Sequence, residues 1–173
     1  IFLPDTVTAI GQSAFTHCTA LTSVRFPAAL SSIGQEAFLG CTRLPKVDLP
    51  DSVTSIGQSA FWNCSRLSYF RYPRSWTSAG TGIFNNCSSL TSVTIPEGVT
   101  SIPSNAFFKA PALRSVSLPS TLTAIGSSAF LGSWASAKDR RRYGAATKWY
   151  SPHISLVAEI NCLENFINNC PLL

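Results

Sequence analysis

The chain contains no methionine and few charged residues. Without an initiator methionine, we expect a fragment or a processed chain whose earlier repeats are missing, and a signal peptide could have been lost with them. Charged residues make up 12% of the sequence and apolar residues 45%, which suggests extended surfaces solvated by hydroxyl groups. The net charge of +5 is a mild excess that does not indicate a nucleic-acid-binding stripe.

Motifs for catalysis and metal binding are also missing. The sequence has no G-x-S-x-G, no H-E-x-x-H and no glycine-rich phosphate loop. It has only two histidines and no C-x-x-C pair, which argues against a zinc site. No apolar run approaches the roughly 18 residues of a membrane-spanning helix. We therefore predict no enzymatic activity, no cofactor, no metal site and no membrane span.

What the sequence has is a repeat with a period of 23 residues. Proline marks each copy, at Pro4, Pro27, Pro50, Pro73, Pro96 and Pro119. A fixed period in this range is typical of a solenoid, in which each unit stacks on its neighbours. Seven positions of each unit are apolar, and in the third unit they are Leu49, Val53, Ile56, Phe61, Cys64, Leu67 and Phe70. No unit could bury such a face alone, so we predict a single core running through the stack.

The pattern inside each unit predicts two extended segments and a turn. Val24 and Phe26 alternate with polar residues, which is the period of a half-buried strand. Val7 and Ile10 lie in a threonine-rich stretch that predicts a second extended segment. Gly11 then turns the chain, and glycine at such a place often marks a backbone angle that other residues dislike. The same position holds Gly34, Gly57, Gly80 and Gly126.

A short helix is predicted after this turn. Ala14, Phe15, Cys18 and Leu21 recur at steps of three and four, so they would share one face of a helix. Serine just before it is explained as a helix cap rather than as a nucleophile. The unit is thus predicted to run strand, extended segment, turn and short helix.

The repeat resembles the BspA-type leucine-rich repeat. Residues 44–67 carry its pattern in full, as LPKVDLPDSVTSIGQSAFWNCSRL, and the resemblance covers residues 1–132. It implies an α/β repeat solenoid, a right-handed superhelix with a parallel concave sheet and with short helices and turns on the other side. It also implies a non-catalytic protein-binding or adhesion module of a cell-surface or secreted protein. The partner would be a protein ligand such as a host or extracellular-matrix protein, not a nucleic acid.

Four cysteines form a ladder through successive units. Cys18, Cys41, Cys64 and Cys87 are followed at the same position by Ala110 and Ser133. Neighbouring rungs would bring cysteine Cα atoms within disulfide range, but stacked side chains point the same way and not at each other. The alternative, a small buried apolar residue on the helix face, also fits alanine and serine at this position. We favour it, and free buried cysteines leave the redox compartment open.

Two glycosylation sequons overlap this ladder. They are Asn63-Cys64-Ser65 and Asn86-Cys87-Ser88, and both asparagines could be glycosylated if a eukaryotic cell secretes the chain. The alternative, which we favour, is an asparagine beside a buried cysteine on a tight helix. His17 occupies the equivalent position in the first unit and is expected to be exposed.

A ligand-binding surface is predicted on the concave strands. The residues that face outward there carry charge and an aromatic ring in the first three rungs, from Arg25 to Arg71, and only hydroxyls in the last two. Tyrosine and arginine are enriched at the energetic centres of interfaces. The candidate ligand-binding residues are Arg25, Lys46, Asp48, Tyr69, Arg71 and Arg74. An ordinary solvated surface is the alternative. Nearby, Trp76 replaces the valine that most other units have, and Ala79 replaces their isoleucine. Local repacking of the core can explain both replacements.

The repeat pattern stops at Ser133. Residues 133–153 are basic and predict an irregular linker, while residues 154–170 carry an apolar stripe at steps of three and four. We predict an amphipathic helix there that caps the solenoid; a docking helix or a non-native tail are the alternatives. For the whole chain, an intracellular scaffold and a purely structural spacer remain alternatives to a surface module.

Overall fold

The repeat folds into a stack of similar coils. The computed structural model describes residues 1–76 and 78–133. Each coil contains a first extended segment, which forms a strand in coils 3 to 6, then a proline turn, a second strand and a run of turns. We number them coil 1 (1–22), coil 2 (23–45), coil 3 (46–68), coil 4 (69–91), coil 5 (92–114) and coil 6 (115–133). The predicted linker beyond Ser133 and the predicted cap at 154–170 lie outside the described residues.

The strands of neighbouring coils pair in parallel, one repeat apart. Lys46 lies opposite Tyr69, and Ile10 lies opposite Ile33. The first strands are Lys46–Asp48 (β3), Tyr69–Arg71 (β5), Ser92–Thr94 (β7) and Ser115–Ser117 (β9), and an isolated bridge joins Phe2 to Arg25 in the first two coils. The second strands are Ala9–Ile10 (β1), Ser32–Ile33 (β2), Ser55–Ile56 (β4), Ser78–Ala79 (β6), Ser101–Ile102 (β8) and Ala124–Ile125 (β10). The predicted solenoid of parallel strands is confirmed.

The short helices are not confirmed, because the segments predicted as helical are consecutive turns throughout the described residues. A helix needs each N–H to bond to the carbonyl four residues earlier. Here the N–H of Phe15 instead donates to Ala37 in the next coil, at 2.8 Å, and the N–H of His17 donates to Leu39. The next N–H, that of Cys18, bonds to the Phe15 carbonyl within its own turn. The backbone N–H groups that would form helical bonds are thus divided between bonds within a turn and bonds to the next coil.

Two positions in every turn run have a left-handed backbone. The first holds Ser13, Glu36, Ser59, Gly82, Asn105 and Ser128, and the second holds His17, Gly40, Asn63, Asn86, Lys109 and Gly132, all with positive φ. Glycine and asparagine adopt this region more readily than other residues. The asparagines of both sequons are therefore explained by the turn geometry.

The repeated glycine before each turn run has a different role from the one we expected. Gly34, Gly57, Gly80 and Gly126 do not have positive φ. They lie against the preceding coil, where a Cβ on Gly57 would be 2.4 Å from the backbone nitrogen of Gln35. Glycine is required here by close approach of two backbones, and the left-handed angles fall on other residues.

The core is one column of apolar side chains along the stack. The phenylalanine rings stack at centroid distances between 5.1 and 5.8 Å from Phe15 to Phe130. The predicted leucine, isoleucine and valine positions surround this column and are buried in the inner coils. Trp76 is also buried, with its ring centroid 4.7 Å from that of Tyr72, as the repacking interpretation requires.

The four cysteines of the described residues are free, and three of them donate hydrogen bonds. The thiol of Cys64 is fully buried and lies 3.2 Å from the carbonyl oxygen of Phe38 in the preceding coil, and Cys41 and Cys87 make the same contact. Burial raises the pKa of Cys41 to about 11 and that of Cys87 to about 12, so these thiols keep the proton that they donate. Cys18, in coil 1, differs from the prediction because it is exposed.

Candidate functional site

The first strands place two rows of side chains on one surface, which we call the first-strand face. One row is Ser23, Lys46, Tyr69, Ser92 and Ser115, and the other is Arg25, Asp48, Arg71, Thr94 and Ser117. All are exposed except Arg71, which is half-buried. Alternation along each strand turns these residues away from the core. The structure thus places the predicted charged and aromatic residues together in coils 2 to 4.

Lys46 and Tyr69 form the centre of this face. They lie directly opposite each other on β3 and β5, and the Lys46 ammonium is 5.0 Å from the centroid of the Tyr69 ring. The Tyr69 residue is 46% exposed, one of the few large apolar side chains of the described residues that meets solvent. A cation over an aromatic face is favourable and orients both groups. The ring is therefore held by its neighbour and remains open to a partner.

Arg71 is fixed by its own chain. Its guanidinium donates to the Leu49 carbonyl at 2.9 Å and to both oxygens of Asp51 at 3.1 and 3.2 Å. It also forms an ion pair with Asp48 at 3.8 Å, while Asp48 pairs with Lys46 at 3.3 Å. A guanidinium with this many acceptors has little rotamer freedom left. Arg71 therefore presents a preordered surface.

Asp51 was missed in the sequence as part of this site. It accepts a bond from the backbone N–H of Arg74 at 3.1 Å in addition to those from Arg71. The Arg74 N–H, followed by the Arg71 cation, holds the pKa of this carboxyl below its ordinary value. Asp51 and Arg74 occupy the same repeat position one period apart, and this signal could have revealed their contact. Glu97 and Ser120 repeat the arrangement in coils 5 and 6.

Arg25 and Arg74 are placed differently from the other candidates. The Arg25 guanidinium lies 5.9 Å from the centroid of the exposed Phe2 ring. The Arg74 side chain extends from the proline turn of coil 4 and is exposed. Lys46 and Arg71 are balanced by Asp48 and Asp51, so the cationic character of the surface comes from Arg25 and Arg74.

Other surfaces of the described residues offer less chemistry. His17 is exposed, as expected. Asn63, Ser65, Asn86, Ser88 and Lys109 line a shallow groove on the turn side. Within residues 1–76 and 78–133, no three His, Cys, Asp or Glu side chains lie close enough together to hold a metal ion, and no helix could span a membrane. The first-strand face is the strongest candidate for binding.

Comparison with known proteins identifies the repeat. The model of the BspA type leucine rich repeat region matches residues 1–135 in six copies. Among curated proteins, no significant match to the chain was found. Solved structures, however, resemble the chain closely.

Three of these structures are bacterial leucine-rich repeat proteins. A leucine-rich repeat protein from Bacteroides ovatus is 34% identical, with a TM-score of 0.74, over 77% of this chain and 34% of that one. A leucine rich cell surface protein from Faecalibacterium prausnitzii is 32% identical, with a TM-score of 0.66, over 78% of this chain and 45% of that one. The leucine-rich repeat protein of T. pallidum is 25% identical, with a TM-score of 0.67, over 87% of this chain and 83% of that one.

The chain thus spans about a third of the B. ovatus protein that it resembles. The family model covers more than half of the sequence, and it matches the same 23-residue units that form the coils of the structure. The chain belongs to the BspA-type leucine-rich repeat family.

Proposed function

We propose that this chain is a non-catalytic protein-binding or adhesion module of a cell-surface or secreted protein. Leucine-rich repeats generally act as protein-interaction scaffolds, and one of the similar structures is described as a cell surface protein. The binding surface is the part of the first-strand face formed by Arg25, Lys46, Asp48, Tyr69, Arg71 and Arg74. This side is the concave one in the right-handed superhelix that the family resemblance implies.

The exposed Tyr69 ring carries this proposal. The Tyr69 ring is exposed on the first-strand face, it is oriented by Lys46, and it lies beside the preordered Arg71. Binding energy concentrates on such rigid aromatic anchors with polar groups around them. The hydroxyl rows of coils 5 and 6 lack any comparable anchor. The partner is a folded protein, such as a host or extracellular-matrix protein.

The test compares two alanine variants from the same row of the first-strand face. The full chain would be immobilised and a panel of purified extracellular-matrix proteins passed over it by biolayer interferometry. Tyr69→Ala should weaken binding by about 30-fold, which corresponds to about 2 kcal/mol for an interface anchor. Ser115→Ala, at the equivalent position in coil 6, should change affinity less than threefold.

Arg71 is unsuitable for this test, because its removal would also release Asp51 and the Leu49 carbonyl. Circular dichroism should show that both variants keep the wild-type fold. Equal affinities of the two variants for every protein bound by the wild type would contradict the assignment of the surface. Absence of binding to the whole panel would contradict the proposed partner class.

A further inference from the structure

Both sheets are interrupted between the same two coils. The first strands pair as β3 with β5 and as β7 with β9, and the second strands as β1-β2-β4-β6 and as β8 with β10. Among the described residues, no strand pairing joins β5 to β7 or β6 to β8. The first strands are also unpaired between coils 2 and 3, so among the described residues the junction of coils 4 and 5 is where both the first and the second strands are unpaired, although β5 and β7 remain neighbours. The strand side of the solenoid is therefore divided into two blocks.

Pro103 explains the gap in the second-strand sheet. At the equivalent position, Gly34, Gly57, Gly80 and Gly126 each donate their N–H to an isoleucine carbonyl of the preceding coil at 2.8 Å. Proline has no N–H, so the bond to the Ala79 carbonyl cannot form. One of the regular bonds between coils is thus deleted by the sequence itself.

The bulk of the Pro103 ring also keeps coil 5 from pairing closely with coil 4. A Cβ added to any of those four glycines would lie only 2.1 to 2.6 Å from a backbone nitrogen of the preceding coil. Real Cβ atoms do not approach backbone atoms so closely, and the proline ring carries more atoms than a Cβ. Coil 5 therefore cannot approach coil 4 here as the other coils approach one another.

The core widens around coil 4 as well. The Phe61–Phe84 and Phe84–Phe107 centroid distances are 5.8 and 5.6 Å, whereas the other three steps of the column measure 5.1 or 5.2 Å. Coil 4 also carries the large buried rings Tyr72 and Trp76 where the other coils have smaller core residues. The Tyr72 hydroxyl is buried without a hydrogen-bond partner in the described residues. Packing is less regular at this coil than elsewhere.

The turn side, in contrast, is continuous across the same junction. The N–H groups of Gly82, Phe84 and Asn86 donate to Ser104, Ala106 and Phe108 at 3.0, 2.9 and 2.9 Å. The equivalent bonds occur between the other coils, for example from Ser59 to Thr81 at 3.0 Å. A junction that is hydrogen-bonded along its turn side and lacks strand pairing along the other side, in the described residues, can open on the strand side.

We propose that the solenoid hinges between coils 4 and 5, with its axis along the turn side and with Pro103 as the residue that keeps the strand side open. Coils 1 to 4 and coils 5 and 6 then move as two blocks. The hinge separates the charged and aromatic half of the first-strand face from its hydroxyl half. Its motion changes the angle between these two halves without breaking the core column.

Amide hydrogen exchange on the full chain tests the hinge. In the wild type, the amides of Ser101–Ile102, whose strand pairs on one side, should exchange at least tenfold faster than those of Ser55–Ile56, their equivalents in coil 3, whose strand pairs on both sides. Pro103→Gly restores both the N–H and the space found in the other coils. It should slow exchange at Ser101–Ile102 by about tenfold, since an added bond worth about 1.4 kcal/mol has that effect on local opening.

Pro96→Gly provides the matched control, because it replaces another proline of coil 5 that lies in the proline turn. It should not slow exchange at the junction. Equal protection of coils 3 and 5 in the wild type would overturn the hinge. Unchanged exchange in Pro103→Gly, or the same slowing in Pro96→Gly, would overturn the role of Pro103.

Discussion

At the scale of single residues, small polar side chains connect the coils. The hydroxyls of Ser31, Ser88 and Thr123 donate to the carbonyl at the equivalent position one coil earlier, at 2.9, 3.2 and 3.0 Å. The buried thiols and Ser133 also donate to a carbonyl of the preceding coil, from the core side and to a residue 26 positions earlier. Hydroxyl-rich composition here reflects bonding between coils as well as solvation, and this reduces the need for charged pairs.

The ladder of thiol donors is interrupted at Ala110, and this predicts a stabilising substitution at that position. Ala110 is fully buried and has no donor to offer, whereas Ser133 donates to Phe107 at 2.6 Å from the same position. Ala110→Ser should place a hydroxyl near the Phe84 carbonyl and raise the free energy of unfolding by about 0.5 to 1.5 kcal/mol. Ser133→Ala, the reverse change one coil later, should lower it by a similar amount. Urea unfolding would measure both, and a loss of stability in Ala110→Ser would contradict the donor role.

The repeat made the apolar residues predictable but not their polar partners. Phe61, Ile56 and Leu67 recur at fixed spacing, so their burial follows from the period. Asp51 and Arg74 share a repeat position, and this places them in neighbouring coils, but the bond uses the backbone N–H of Arg74 and so does not follow from the two residue types. Similarly, the thiol of Cys64 was predicted to be buried, but its bond to Phe38 depends on the path of the backbone.

At the scale of elements, strands were predictable and turns were not. A period-two alternation needs only local spacing, and the first strands occur where it indicates them, while the second strands occur in the stretch predicted as a second extended segment. Phe15, Cys18 and Leu21 have helical spacing, yet a turn run with left-handed residues at Ser13 and His17 produces the same one-sided burial. The spacing of apolar residues alone cannot separate the two, because bonds to the next coil decide between them.

Because neighbouring coils approach closely at Gly57 but not at Gly11, replacement of glycine by alanine should have different effects on stability at these two positions. In Gly57→Ala the new methyl group would lie 2.4 Å from the Gln35 nitrogen, so the coils must separate, and stability should fall by about 1 to 3 kcal/mol. Gly11, at the equivalent position in coil 1, has open space and no positive φ. Gly11→Ala should therefore be neutral or stabilise by up to about 1 kcal/mol through the unfolded chain.

Thermal and urea unfolding of the two variants would measure these effects. If Gly57→Ala were as stable as Gly11→Ala, the tight contact between backbones would not be a constraint on the sequence at this position.

At the scale of the whole molecule, the 23-residue period determines that the coils stack. The residues that depart from the period determine where the stack is interrupted and where the candidate binding face lies. The six similar units predict a continuous solenoid, and the structure confirms this architecture. Replacement of glycine by Pro103, however, is a single departure from the period, and its consequence appears only when the coils are stacked. The candidate binding face likewise depends on positions whose residue type varies between copies. Tyr69, for example, occupies the position that Lys46 holds one coil earlier.

Two carboxylates link coils across the outside of the stack and predict how stability depends on pH. Asp51 joins coil 3 to the Arg74 N–H of coil 4, and Glu97 joins coil 5 to the N–H and hydroxyl of Ser120 in coil 6. These bonds hold the pKa of each carboxyl below its ordinary value, first through the backbone N–H in both cases. A carboxyl with a lower pKa in the folded state stabilises the fold above its unfolded pKa of about 4.

Acid should therefore loosen both blocks. As pH falls below about 4 and passes through the folded-state pKa values, this contribution is lost, and the urea midpoint should decrease. The double variant Asp51→Asn, Glu97→Gln carries no charge at either site, so it should be less stable than the wild type at neutral pH and should lose less stability in acid. Urea midpoints at about pH 7, 5, 4 and 3 would show this. The same acid dependence in the double variant and the wild type would mean that these bonds between coils are not what acid disrupts.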